Sequence, residues 1–197
     1  SADLASSNNL KNTQYKAITA QDFSGNFIHY GVRENAMSAI MNGLALSSFI
    51  PIGGTFFVFS DYMRPSIRLS ALMGLGIIYV MTHDSIGVGE DGSTHQPIEH
   101  LASFRAMPNI DVFRPADFTE TKECYEIILK NKNKPSMIVL SRQSVPQIRH
   151  ISKHNMSLKG GYIISEAKTA GKIDVVIFST GSEVSIAMEV QKILEEK

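Results

Sequence analysis

The spacing of apolar side chains divides the chain into alternating helix and strand signals. Met37, Ile40, Met41 and Leu44 fall at i, i+3, i+4 and i+7, which puts one apolar stripe on a helix over residues 33–46. Residues 27–30 read as a short strand before it, and residues 49–52 as a short apolar segment leading into Gly53-Gly54. Residues 56–73 read as largely helical with a break near Pro65, because proline removes a helix donor. Residues 76–81 are an apolar, β-branched strand, and a glycine-rich loop follows to His95. Pro97 suits the first position of a helix ending near Arg105. Residues 110–113 read as a strand, Asp117 or Thr119 as the cap of a helix reaching Lys130, and residues 136–140 as another strand.

Beyond residue 150 the pattern changes. Residues 147–159 are polar and read as a linker. Residues 174–180 are apolar through most of their length, as in strands covered on both faces of a parallel sheet. Val184, Ala187, Met188, Val190, Ile193 and Leu194 then recur at helical spacing. Too few elements follow Gly160 to cover such a sheet, and the chain opens at Ser1 without a methionine. The expectation is a piece of a longer protein. Residues 1–150 are expected to form an α/β domain with a doubly wound, mostly parallel sheet and helices on both faces. Residues 151–197 are expected to be a linker and the first part of a second, incomplete α/β domain.

Composition narrows the function. The 197 residues are 43% hydrophobic and 19% charged, which suits a globular core. Lys+Arg and Asp+Glu are both 19, so no basic excess points to nucleic acid or an anionic membrane. The single cysteine, Cys124, excludes an internal disulfide and a cysteine-based zinc cluster. The apolar stretch 72–81 falls well short of the ~20 residues of a spanning helix. No signal peptide is visible at the start, so a soluble, cytoplasmic, reducing setting is expected.

Ligands of open α/β sheets bind outside the carboxyl ends of the strands. Just past the strand signals lie residues 31–34, 83–95, 114–117 and 141–143, and all four should converge on one sheet edge. Glu34, in the first turn of a helix, has two readings. It complements the helix dipole, or it shares a proton with a heterocyclic ligand. The loop from His83 to His95 holds Asp84, Glu90, Asp91 and three glycines, with Glu99 just beyond. It reads as a polar-substrate site or as a self-satisfied loop; its histidine spacing matches no compact metal motif. Phe56, Phe59 and Tyr62 recur every three residues, as a core stripe or as a ring pocket beside Gly53-Gly54-Thr55. Arg142, directly after a strand, could pair a phosphate or carboxylate.

Together these segments resemble transketolases, thiamine-diphosphate enzymes that move two-carbon ketol units between sugar phosphates. The most specific stretch is Thr82-His-Asp-Ser-Ile-Gly-Val-Gly-Glu-Asp-Gly-Ser-Thr-His-Gln-Pro97. It departs from the family pattern mainly at Ser93, where proline is usual. Ser1-Ala-Asp-Leu4, Tyr30-Gly-Val-Arg-Glu34, Gly53-Gly-Thr-Phe56, Arg114-Pro-Ala-Asp117 and Leu140-Ser-Arg-Gln143 match in order. Asn35 stands where histidine or a bulkier residue is expected. The resemblance covers the pyrimidine-binding middle domain and the opening of the C-terminal domain. Dihydroxyacetone synthase carries nearly the same motifs, whereas the His83–His95 stretch argues against the deoxyxylulose-phosphate synthase branch. A non-catalytic dimerisation or binding module is a further alternative.

What the resemblance implies is specific. Glu34 would hydrogen-bond the aminopyrimidine of thiamine diphosphate and favour the imino tautomer that deprotonates the thiazolium carbon. Phe56, Phe59 and Tyr62 would surround that ring, with Phe59 stacked on it. His95 would sit near the cofactor amino group and the reacting hydroxyls, and Asp91 would read the sugar C2 hydroxyl. His83, Arg142 and Ser7 would contact substrate phosphate, and Asp3 would lie near the thiazolium ring. The family's diphosphate and divalent metal (Mg or Ca) are held by an N-terminal domain whose Gly-Asp-Gly signature is not in this sequence. No metal ligand is therefore assigned here. The partners implied are sugar phosphates of the pentose phosphate pathway and a second identical subunit, with no nucleic acid and no membrane. The chain alone should be inactive.

Overall fold

The computed structural model describes residues 1–11, 13–150, 154–168 and 172–196. Nine elements carry the description: α1 (Glu34–Leu46), β1 (Ile52–Phe56), α2 (Arg64–Met73), β2 (Ile78–Thr82), α3 (His100–Arg105), β3 (Asp111–Phe113), α4 (Phe118–Lys130), β4 (Ser136–Leu140) and α5 (Glu183–Glu195). Tight 3₁₀ turns occupy Phe57–Tyr62, Gly89–Asp91, Ser93–His95 and Met156–Lys159. The chain divides into two compact units, one of residues 1–113 and 131–143, the other of residues 114–130 and 144–197.

The first unit is built on a four-stranded sheet in the order β1-β2-β4-β3, with every pairing parallel. This is the expected α/β class. All five residues of β2 are buried, as the apolar run at its centre requires. Tyr79 and Met81 of β2 and Met137 and Val139 of β4 pack with Met37 and Met41 of α1. Phe57, Met63, Ile67 and Phe104 complete that core. Met37 and Met41, spaced i and i+4, bring α1 close to β1. Glycine is required there: a Cβ on Gly53 would lie 2.3 Å from the Met41 sulfur, and one on Gly54 would lie 2.4 Å from the Val80 carbonyl oxygen.

A chain of buried polar groups lies beside this core. Asn42 donates to the Ser66 carbonyl at 3.0 Å, Ser70 donates to Asn42 Oδ1 at 2.7 Å, and the Ser70 and Tyr79 hydroxyls lie 2.6 Å apart. Burial pushes the Tyr79 phenol up to about 12, so it stays neutral. Pro65 sits in the first turn of α2 and opens that helix, as the break predicted near it implied. Two expectations fail in this unit. Residues 27–30 form no strand; an isolated parallel bridge joins Phe27 to Ala17, and among the described residues no strand flanks the segment. The helix expected from Pro97 begins at His100, where that ring packs against Phe57 at 5.6 Å.

The second unit is held by polar pairs. Asp117 caps α4: its Oδ1 accepts from the Glu120 amide at 2.9 Å, and its Oδ2 accepts from the Ile148 and Arg149 amides at 3.0 and 2.8 Å. Buried Glu123 takes a two-pronged pair from Arg149 at 2.9 and 3.0 Å and accepts from Ser157. In the polar stretch read as a linker, Gln147, Arg149, Asn155 and Ser157 are thus hydrogen-bonded to α4; residues 151–153 lie outside the described residues. Burial, helped by Glu120, pushes the Cys124 thiol up to about 12, so it is an inert apolar group. Residues 174–180 form no strand, correcting the expectation from their apolar pattern. Among the described residues no partner strand flanks them, and Val175, Val176, Ile177 and Phe178 are exposed. Among the described residues no helix is long and apolar enough to cross a membrane.

Candidate active site

Parallel pairing puts the last residues of β1, β2 and β4 — Phe56, Thr82 and Leu140 — on one sheet edge. The side chains just beyond them form a ring cluster. Phe56 stacks on His83 with centroids 3.7 Å apart, and lies 6.0 Å from Phe59 at a near-parallel 14°. His95 meets Phe56 and Phe59 edge-on at 6.0 and 5.2 Å. Tyr62 lies 6.4 Å from Phe59 and is largely exposed, so it rims the cluster. The stripe read as either core or pocket therefore divides. Phe56 and Phe59 face the histidines and Tyr62 does not, while Phe57, outside the stripe, enters the core.

Glu34 opens α1 and is buried. Its carboxylate accepts a long hydrogen bond, 3.5 Å, from Thr55, the residue just before Phe56. No lysine, arginine or histidine pairs with it among the described residues. The neighbouring Asn35 donates to the Tyr62 carbonyl at 3.2 Å and ties the start of α1 to the far end of the ring stripe. A helix-dipole role is compatible with this placement, but exposure to water would serve that role as well. Burial beside an aromatic cluster suits a proton-sharing carboxylate better.

The two histidines are each oriented by a threonine. Thr82 Oγ1 lies 3.0 Å from His83 Nδ1, and Thr94 Oγ1 lies 2.8 Å from His95 Nδ1. Each ring thus keeps Nε2 for another partner. His83 holds φ 59°, a left-handed conformation that a non-glycine residue adopts at a cost of about 1–3 kcal/mol. Burial lowers the His83 pKa, with Arg142 and His95 acting the same way against Asp91 and Asp84, so the ring is neutral at neutral pH. Thr82 also donates to buried Asn8 at 3.2 Å, which brings the N-terminal segment to this edge.

Arg142, after β4, is within 3.3 Å of Glu90 and 3.6 Å of Asp91, so the cation reaches the His83–His95 loop. Asp3, at φ 65°, and Ser7 are exposed. Residues 114–117 follow β3 directly. That segment belongs to the second unit, where Arg114 donates to the Thr180 carbonyl at 2.9 Å and pairs with Glu183, while Asp117 caps α4. Thr55, Thr94 and Asn8 went unassigned in the sequence. Each stands beside an assigned residue: Thr55 beside Phe56, Thr94 beside His95 and Asn8 beside Ser7.

Residues 1–147 match the family described as "Transketolase, pyrimidine binding domain", and residues 160–197 match "Transketolase-like TK C-terminal domain". This chain belongs to the transketolase family. It is 56% identical over 190 residues to transketolase of Sinorhizobium medicae, spanning 95% of this chain and 27% of that protein. It is 50% identical over 199 residues to a chloroplastic transketolase of Solanum tuberosum, spanning 100% of this chain and 27% of the relative. Among solved structures, a Pichia stipitis transketolase in complex with sedoheptulose-7-phosphate superposes with a TM-score of 0.91 at 45% identity, covering 99% of this chain and 29% of that one. A split-gene transketolase described as an inactive tetramer superposes with a TM-score of 0.72 at 30% identity, over 86% of this chain and 53% of that one. The chain thus spans under a third of the length of the Sinorhizobium, Solanum and Pichia transketolases.

Proposed function

We propose that this chain is the pyrimidine-binding part of an enzyme that carries a two-carbon ketol unit from a ketose phosphate to an aldose phosphate, with thiamine diphosphate as cofactor. The observation that carries this reading is Glu34: a buried carboxylate with one long hydrogen bond, beside a cluster of flat rings. The residues present fit the aminopyrimidine of that cofactor. Phe59 and Phe56 offer faces, Glu34 an acceptor with no competing cation, and His95 an imidazole whose Nδ1 is already satisfied. Bound there, the cofactor supplies a carbon nucleophile that accepts the ketol unit.

The remaining chemistry belongs to this chain. Glu34 holds a proton at a ring nitrogen, and its burial keeps water from taking that proton. Thr55 fixes the carboxylate. His95 orients the cofactor amino group and the reacting hydroxyls, and Asp91 reads the sugar C2 hydroxyl. His83 contacts substrate phosphate, while Arg142 brings the charge and Ser7 a hydroxyl; the exposed pairs of Arg142 with Glu90 and Asp91 are weak enough to exchange for phosphate. Asp3 is assigned a place near the thiazolium ring. The diphosphate and its Mg²⁺ or Ca²⁺ are assigned to a separate domain, and the working unit to a homodimer in the pentose phosphate pathway. We divide this chain into a pyrimidine-binding domain, 1–150, and the start of a C-terminal domain, 151–197. A cytoplasmic location belongs to the same proposal, to be checked by fractionation, since a potato relative is named chloroplastic.

Glu34→Gln in the assembled enzyme tests the proposal. Glutamine keeps the shape, so the melting temperature should hold. Proton–deuterium exchange at the thiazolium carbon should slow by about 10²–10⁴-fold. Unchanged exchange returns Glu34 to a helix-dipole role worth about 0.3–1 kcal/mol and removes the centre of the reading. The chain by itself, given thiamine diphosphate and Mg²⁺, should show no ketol transfer. The inactive assembly of the split-gene neighbour supports that expectation, and turnover by the isolated chain would contradict it.

A further inference from the structure

Where the Phe57–Tyr62 turn faces the start of α3, Asp61, Glu99 and His100 gather. We propose that these three side chains bind a divalent transition-metal ion. One ligand atom from each can be chosen so that all lie within 4.8 Å of one another. His100 Nε2 is 3.1 Å from Asp61 Oδ2, and His100 Nδ1 is 4.0 Å from Glu99 Oε2. His100 is 4% exposed, and neither of its ring nitrogens makes a hydrogen bond. The Nε2–Oδ2 approach is close, but it lacks the alignment of a hydrogen bond.

A buried imidazole left so pays desolvation without a directional bond in return. An ion supplies that bond. Imidazole nitrogen and carboxylate oxygen each lie ~2.0–2.2 Å from Zn²⁺, which puts neighbouring ligands roughly 3 Å apart, the separation seen between Nε2 and Oδ2. Glu99 is exposed and has the rotamer freedom to close the remaining gap. Arg64 is the cation nearest Asp61, but it takes the other oxygen, Oδ1, at 3.6 Å. It is held by Ser103 at 2.8 Å and by the Phe104 ring at 4.4 Å. Oδ2 is therefore left for the ion, and water completes the shell. One nitrogen and two carboxylates select Zn²⁺, Co²⁺ or Mn²⁺ over Mg²⁺, which prefers an all-oxygen shell. Phe57 and Phe104 behind the imidazole limit its motion.

The test is calorimetric titration of the untagged full chain with ZnCl₂, in excess Mg²⁺ and without thiamine diphosphate, followed by Co²⁺ absorption spectra. One Zn²⁺ per chain is expected, and Co²⁺ should show ligand-field bands with a nitrogen donor. Changes merely outside a metal's own ligands cost about 10–100-fold in affinity, so His100→Gln should cost at least that, and Asp61→Asn and Glu99→Gln should each weaken binding. Circular dichroism checks the fold. Should His100→Gln fail to fold, the two exposed carboxylate variants decide the matter alone. Absence of Zn²⁺ binding, binding unchanged in the variants, or binding lost in His154→Gln instead would overturn the proposal.

Discussion

β2 and residues 175–178 carry the same kind of apolar run and meet opposite fates. Ile78–Thr82 pairs with β1 on one side and β4 on the other, and all five residues are buried. Among the described residues Val175, Val176, Ile177 and Phe178 have no strand beside them, and they are 62%, 63%, 44% and 92% exposed. An apolar run sets a capacity to be a central strand. Becoming one takes neighbours, because parallel strands satisfy their amides only across the ladder and their side chains only under cover. The same contrast separates what holds each unit. The first unit rests on apolar packing of Met37, Phe57, Tyr79, Met81 and Met137, and the second on charged and polar pairs around α4.

The largest effects should therefore come from the packed sheet. Met81 is fully buried, so Met81→Ala should cost about 2–5 kcal/mol, read from denaturant midpoints. A loss below ~1 kcal/mol would mean that the core around β2 is looser than its burial indicates. Next comes the polar unit. Arg149 and Ser157 overcome the opposing effect of burial and hold Glu123 at about 2, below its ordinary 4.5. A depressed carboxylate stabilises above its unfolded value and loses that contribution as pH falls through the folded one. The window is thus from about pH 4.5 down to about 2, and the contribution above it is on the order of 3 kcal/mol. Amide exchange in α4 should speed up on acidification through that window, and Glu123→Gln should flatten the response. Gly54→Ala, whose methyl would enter the space of the Val80 carbonyl and Leu10, should cost about 1–3 kcal/mol in the melting midpoint.

Much of this was legible from spacing. The i, i+3, i+4, i+7 stripe placed α1 to within a residue, and β4 was read at its observed bounds, because both elements are long or apolar enough to dominate their windows. The motif residues Glu34, Phe56, Phe59, His83 and His95 were legible as candidates, and the structure gathers the four rings. What failed depended on partners. Residues 27–30 and 174–180 have strand composition, but among the described residues no strand lies beside either. The cluster of Asp61 with Glu99 and His100 joins residues 38 and 39 positions apart, which no local window can see.

The smallest expected effect is also the sharpest probe of the comparison. Val176→Thr replaces an exposed methyl with a hydroxyl, on a segment with no ladder to lose, so the chain's stability should change by no more than about 0.5 kcal/mol. The same change at Val80, 2% exposed and paired on both sides, buries a hydroxyl with no partner provided and should cost about 1–3 kcal/mol. Amide exchange gives the parallel reading. The amides of residues 175–178 should exchange through local fluctuation, whereas those of β2 should require opening of the whole sheet. If Val176→Thr proved as costly as Val80→Thr, residues 175–178 would have to be paired in solution, and the contrast between the two apolar runs would collapse. If the chain is studied within a longer polypeptide and the cost of Val176→Thr rises there alone, added sequence supplies the strand neighbours that these residues lack here.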